Sequence, residues 1–156
     1  MLLDQDSKEE DIRPWNMDIN SFCMLMHLSQ FASTVFPLAG IIMPIIMWQQ
    51  FKKDNSVIHE NGKQIMNFML TTFLGGIVLT IVMVAAVMTL FTNASSDQSQ
   101  AIFSAMGLIT ILIFAAGFSI VYVVFIILAA IKAFNGKIGT YPLTIKFIRW
   151  STLIQK

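Results

Sequence analysis

Three stretches of the chain carry no Lys, Arg, Asp or Glu: Ile19 to Phe51, Gln64 to Ser96 and Gln98 to Ile131. A bilayer core about 30 Å thick is crossed by roughly 20 apolar residues of helix, and each stretch exceeds that. The pattern predicts an all-α, polytopic membrane helical bundle of three spans. Between the first two runs stands the segment Phe51 to Phe68, charged at Lys52, Lys53, Asp54, Glu60 and Lys63. It is expected to form a short loop between antiparallel helices.

The first run is interrupted by Pro37, Gly40 and Pro44. Proline removes a backbone donor and clashes with the preceding turn, so a kinked span with its kink near Phe36 and Pro37 is expected. A hairpin at Pro37, giving four segments, is the alternative. Before the break Asn20, Cys23, His27, Gln30 and Thr34 fall on one helical stripe, and after it Ile41, Ile42, Ile45 and Ile46 make a nearly uniform apolar surface. The second run has an apolar core from Ile65 to Thr92, about 42 Å long if wholly helical. Thr71 with Gly75, and Gly76 with Thr72 and Thr80, supply the four-residue spacing of small side chains that lets membrane helices approach closely. Gly107, Ala115, Ala116, Gly117 and Ser119 do the same in the third run.

After Lys132 the chain turns basic and is punctuated by Asn135-Gly136, Gly139 and Tyr141-Pro142. Leu143, Phe147, Trp150 and Ile154 share one helical face there, with Arg149 and Lys156 roughly opposite, which predicts a C-terminal interfacial helix. Residues 1–18 are polar and acidic and read as a tail, leaving 19–156 as a single transmembrane domain. Lys and Arg are enriched in cytoplasmic loops. Three spans set Lys52, Lys53, Lys63, Lys132, Lys137, Lys146, Arg149 and Lys156 on one side, against Lys8 and Arg13 on the other. The expected orientation is thus N-terminus outside and C-terminus cytoplasmic.

Composition agrees: 56% of residues are hydrophobic and 12% charged, against about 25% charged in soluble domains. The single Cys23 excludes an internal disulfide, and one cysteine with two histidines excludes the usual Cys/His zinc site. Gly62-Lys63 lacks the spacing of a phosphate loop and His59-Glu60 lacks the second histidine of a metalloprotease. Asn61 is read as the cap of the second helix, with Gly62 in the turn and Lys63 at headgroup level. His27 and Asn67, polar side chains inside apolar runs, are expected to make interhelical hydrogen bonds.

Four blocks occur in order: HLS at His27 to Ser29, FPLAGIIMPIIMW at Phe36 to Trp48, HENGKQIMNF at His59 to Phe68 and AAIKAFNGKIGTYPLTIKF at Ala129 to Phe147. In this the chain, from Phe22 to Arg149, resembles the Tic-twenty-like membrane proteins of bacteria, catalogued as a domain of unknown function. The resemblance implies a small multi-span protein of the plasma (inner) membrane and no established activity. No catalytic, cofactor-binding or metal-binding residue is assigned, and no cofactor or nucleic-acid partner is expected. The sequence points to a non-enzymatic structural or assembly component that packs with itself or with a membrane protein partner in the lipid bilayer. A small channel or translocation subunit, with the His27 stripe lining a path in an oligomer, is the alternative.

Overall fold

The computed structural model describes residues 13–92 and 98–148, and among these the only regular elements are helices. A 3₁₀ turn at Pro14–Asn16 leads into α1 (Ile19–Leu28), which passes into a 3₁₀ segment, Ser29–Thr34. Then follow α2 (Ala39–Phe51), α3 (Ser56–Thr92) and α4 (Gln98–Phe134). α3 and α4 each contain a stretch long and apolar enough to cross a membrane, Ser56–Thr89 and Ala105–Phe134. Among the described residues two such helices are present, and the expected three spans are not found.

The difference lies in the first run. The interruption falls where Pro37 places it, but it is a reversal and not a kink. At one end the rings of Phe22 in α1 and Phe51 in α2 meet edge to face at 5.3 Å, and Trp15 Nε1 donates to Gln50 Oε1 at 3.1 Å. At the other, Gly40 lies so close to the carbonyl of Gln30 and to Ser33 that a Cβ would collide with both. α1 and α2 are therefore antiparallel. Asp18 caps α1 by accepting from the Ser21 amide at 2.9 Å, and the Ser21 hydroxyl, with that amide second, holds its carboxyl below the usual range. α2, with 13 residues, is about 20 Å long, short of the bilayer core.

The chain divides into two compact units, 1–71 with 124–156, and 72–123. Among the described residues every buried side chain belongs to the first unit. Its core combines Phe22, Met26 and Met47 with Ile58, Ile65, Phe68 and Ile126, and a small-residue face at Ala129, Ala130 and Ala133. In the second unit the described side chains are exposed or half-buried, and the half-buried ones recur at Gly76, Leu79, Met83 and Ala86 of α3 and at Gly107, Ile111 and Ala115 of α4. Spacings of three and four give each helix one narrow inward stripe and a broad apolar surface elsewhere.

Two further expectations change. α3 starts at Ser56, not near Asn61, because Asn55 Oδ1 accepts from the Ile58 amide at 3.0 Å and caps the helix there. The connection from α2 shrinks to four residues, 52–55. The expected C-terminal helix is not formed over 143–148, because α3 takes the backbone groups that a helix would use. Asn67 Oδ1 accepts from the Ile148 amide at 2.8 Å, its Nδ2 donates to the Ile148 carbonyl at 3.3 Å, and Thr71 Oγ1 accepts from the Ile145 amide at 3.0 Å. Trp150, Ile154, Arg149 and Lys156 lie outside the described residues, as do most of the acidic tail and 93–97.

Candidate functional site

Polar side chains gather in the first unit around His27. The stripe read on α1 turns inward at Cys23, His27 and Gln30, all fully buried, while Asn20 is half-buried and Thr34 exposed. Asn61 and Asn67 come from the early turns of α3, and Gly139 and Tyr141 from the segment after α4. Gly139 reaches the site because it lacks a Cβ, which would collide with the His27 imidazole and the Ala129 carbonyl. On the other flank Gly62 lies directly under the Trp48 indole for the same reason.

The hydrogen bonds form one consistent set. Asn61 Oδ1 stands 3.0 Å from His27 Nε2 and also accepts from the Gly139 amide at 2.9 Å, while Asn61 Nδ2 donates to the Val57 carbonyl. An amide oxygen only accepts, so the imidazole proton is on Nε2 and Nδ1 is left as an acceptor. The Tyr141 hydroxyl, 2.7 Å away, donates to it and in turn accepts from Gln30 Nε2 at 2.7 Å. Both nitrogens of the His27 imidazole are thereby engaged. Tyr141 is fixed further by stacking on Phe68, at 4.0 Å between nearly parallel rings. Gln30 Oε1 is a buried acceptor without a partner, the one loose end in this group.

A second, more peripheral cluster surrounds Trp48. Its Nε1 donates to His59 Nδ1 at 3.3 Å, the two rings stack at 5.9 Å, and the Lys52 ammonium lies 5.2 Å above the indole. Lys63 is largely buried and pairs with Glu60 at 2.6 Å. His59 and Glu60 thus each have a protein partner.

Chemically, the His27 group is a latch. It ties α1, α3 and the segment after α4 together and leaves neither ring nitrogen of His27 for a substrate. The stripe does not line a path within the chain, since Asn61, Tyr141 and Gly139 fill the space before it. His27 and Asn67, both read as buried hydrogen-bonding groups, do not meet each other: the first bonds Asn61 and Tyr141, the second the backbone at Ile148. Among the described residues no group of three or more His, Cys, Asp or Glu is placed to hold a metal ion. Residue reasoning missed Asn61, Gly139 and Tyr141 as partners of His27. The signal was present in the four sequence blocks, which meet here.

Residues 18–148 match the MamF_MmsF family, described as the magnetosome magnetite crystal formation protein family. The chain belongs to this family. The match takes in the latch, both long helices and the docked segment, and it overturns the assignment to the Tic-twenty-like proteins. Neither a curated protein nor a solved structure matches the chain.

Proposed function

We propose that the chain is a non-enzymatic assembly component of the magnetosome membrane and contributes to magnetite crystal formation through helix packing. The observation that carries this is the family match, which runs from the cap of α1 to the residue docked on Asn67. The division of the molecule supports it. The polar groups that chemistry would recruit are spent on the latch, whereas 72–123 presents a wide apolar surface to lipid or to another membrane protein. In this reading the first unit is a rigid base and the second supplies the packing surface. The partner is a second copy of the chain or another protein of that membrane.

The test is deletion and complementation in a magnetite-forming bacterium. Crystal size measured by electron microscopy should change on deletion and return with the intact chain. A fluorescent fusion should follow the crystals and not the whole plasma membrane. Crystals unchanged by deletion, or a fusion spread evenly over the plasma membrane, would remove the proposal.

A further inference from the structure

The uncharged run from Ile19 to Phe51 is apolar enough to enter a membrane, yet its two ends lie together. Trp15 bonds Gln50 and Phe22 packs on Phe51, while the turn at 35–38 is at the far end. A segment with both ends at one place cannot be a single span, and α2, with 13 residues, is too short for the hairpin to cross and return. Polarity along the hairpin is graded. Its base carries Asp18, Gln50, Lys52 and Lys53, with Trp15 and Trp48 beside them, the aromatic residues favoured at headgroup depth. Its tip is apolar and uncovered: Val35 is 89% exposed, and Phe36 and Leu38 are exposed with it. On α2 the exposed residues Ile41, Ile42 and Ile46 continue this surface.

We infer that the α1–α2 hairpin is a re-entrant wedge, which enters one leaflet of the bilayer from the side of the chain's termini and returns to that side. The occupant of its apolar surface is the lipid acyl chain. Three observations converge on lipid. Gln30 reaches Tyr141, which stacks on Phe68, so the hairpin runs beside the first apolar turns of the α3 span. Its apolar surface thus stands beside the start of a helix long and apolar enough to cross a membrane. No charge lies between Ile19 and Phe51 to oppose entry, and α2 at about 20 Å reaches part-way through a core of about 30 Å. With two spans, all ten Lys and Arg residues fall on one side, because none lies between Thr72 and Val123. This is a sharper basic asymmetry than three spans allow, and it makes the shared side cytoplasmic.

The inference does not depend on the magnetosome reading, since it concerns insertion alone. It is tested with the full chain in sealed membrane vesicles of both orientations, using a membrane-impermeant maleimide on variants that each add one cysteine to the buried Cys23. Asn16→Cys and Lys53→Cys, both at exposed positions, should react from one face and Ser95→Cys from the other, with the unaltered chain as blank because Cys23 is buried. Labelling of Asn16→Cys from the Ser95→Cys face would overturn the wedge in favour of a true span. In a second arm Val35→Cys carries a polarity-sensitive fluorophore in bilayers containing acyl-chain nitroxide lipids. Quenching by those lipids, with no reaction to aqueous maleimide before solubilisation, is expected. Ready aqueous labelling without quenching would overturn lipid as the occupant and leave water or another protein in its place.

Discussion

Glycines tell the two units apart. In the first, Gly40, Gly62 and Gly139 each stand where an added methyl group would strike the Gln30 carbonyl, the Trp48 indole or the His27 ring. In the second, Gly75, Gly76 and Gly117 would meet nothing within 4 Å. The same residue type serves internal packing in one unit and is left unused by the chain in the other. A protein whose close-packed positions are confined to one half has a fold that is completed there. The helices of the other half carry surface to be satisfied from outside, by lipid or by a partner.

Substitutions can test that contrast, starting with the largest effect. His27→Ala removes two buried hydrogen bonds, strips the Tyr141 hydroxyl of its acceptor and leaves a cavity, so a loss of about 3 kcal/mol is expected. Denaturant unfolding in micelles, followed by tryptophan fluorescence, measures it; wild-type stability would show that the latch does not hold the unit together. Gly139→Ala should cost about 2 kcal/mol by overpacking, since one of the atoms it meets is backbone and cannot swing aside. Tyr141→Phe keeps the stack on Phe68 but leaves His27 Nδ1 and a Gln30 proton unpaired, for about 1–2 kcal/mol in the same assay. Gly75→Ala and Gly117→Ala should shift unfolding by no more than about 0.5 kcal/mol. If those two instead weaken self-association, measured by crosslinking or by mass in micelles, the open glycines serve an interface between copies. If they unfold the monomer, the contrast between the units is broken.

Local pattern revealed what local physics decides. Absence of charge marked the apolar bodies of the long helices, though not the start of α3 at Ser56, and Pro37 marked the break, because both act within a turn or two of chain. Whether the chain bends or reverses at Pro37 depends on Phe22 meeting Phe51 and on Gly40 meeting Gln30, contacts that no short window contains. Asn61 was read as a cap since Asn55 and Asn61 have the same capping chemistry, and only the position of His27 and Gly139 distinguishes their roles. Tyr141 stands 114 residues from His27. The C-terminal face of Leu143 and Phe147 has helical spacing, yet Asn67 and Thr71 outcompete the helix for its amides. The stripe on α1 was visible from sequence, but not what it faces.

The burial of Cys23 has a practical side. It is the chain's sole thiol, fully enclosed and beside the Asn61 side chain. Reagent reaches a thiol so enclosed only when the packing around α1 opens, so the rate at which the native protein is alkylated should serve as a clock for that opening. Read in micelles, in vesicles and in the presence of a candidate partner, one endogenous atom would time the breathing of the base without any label being introduced.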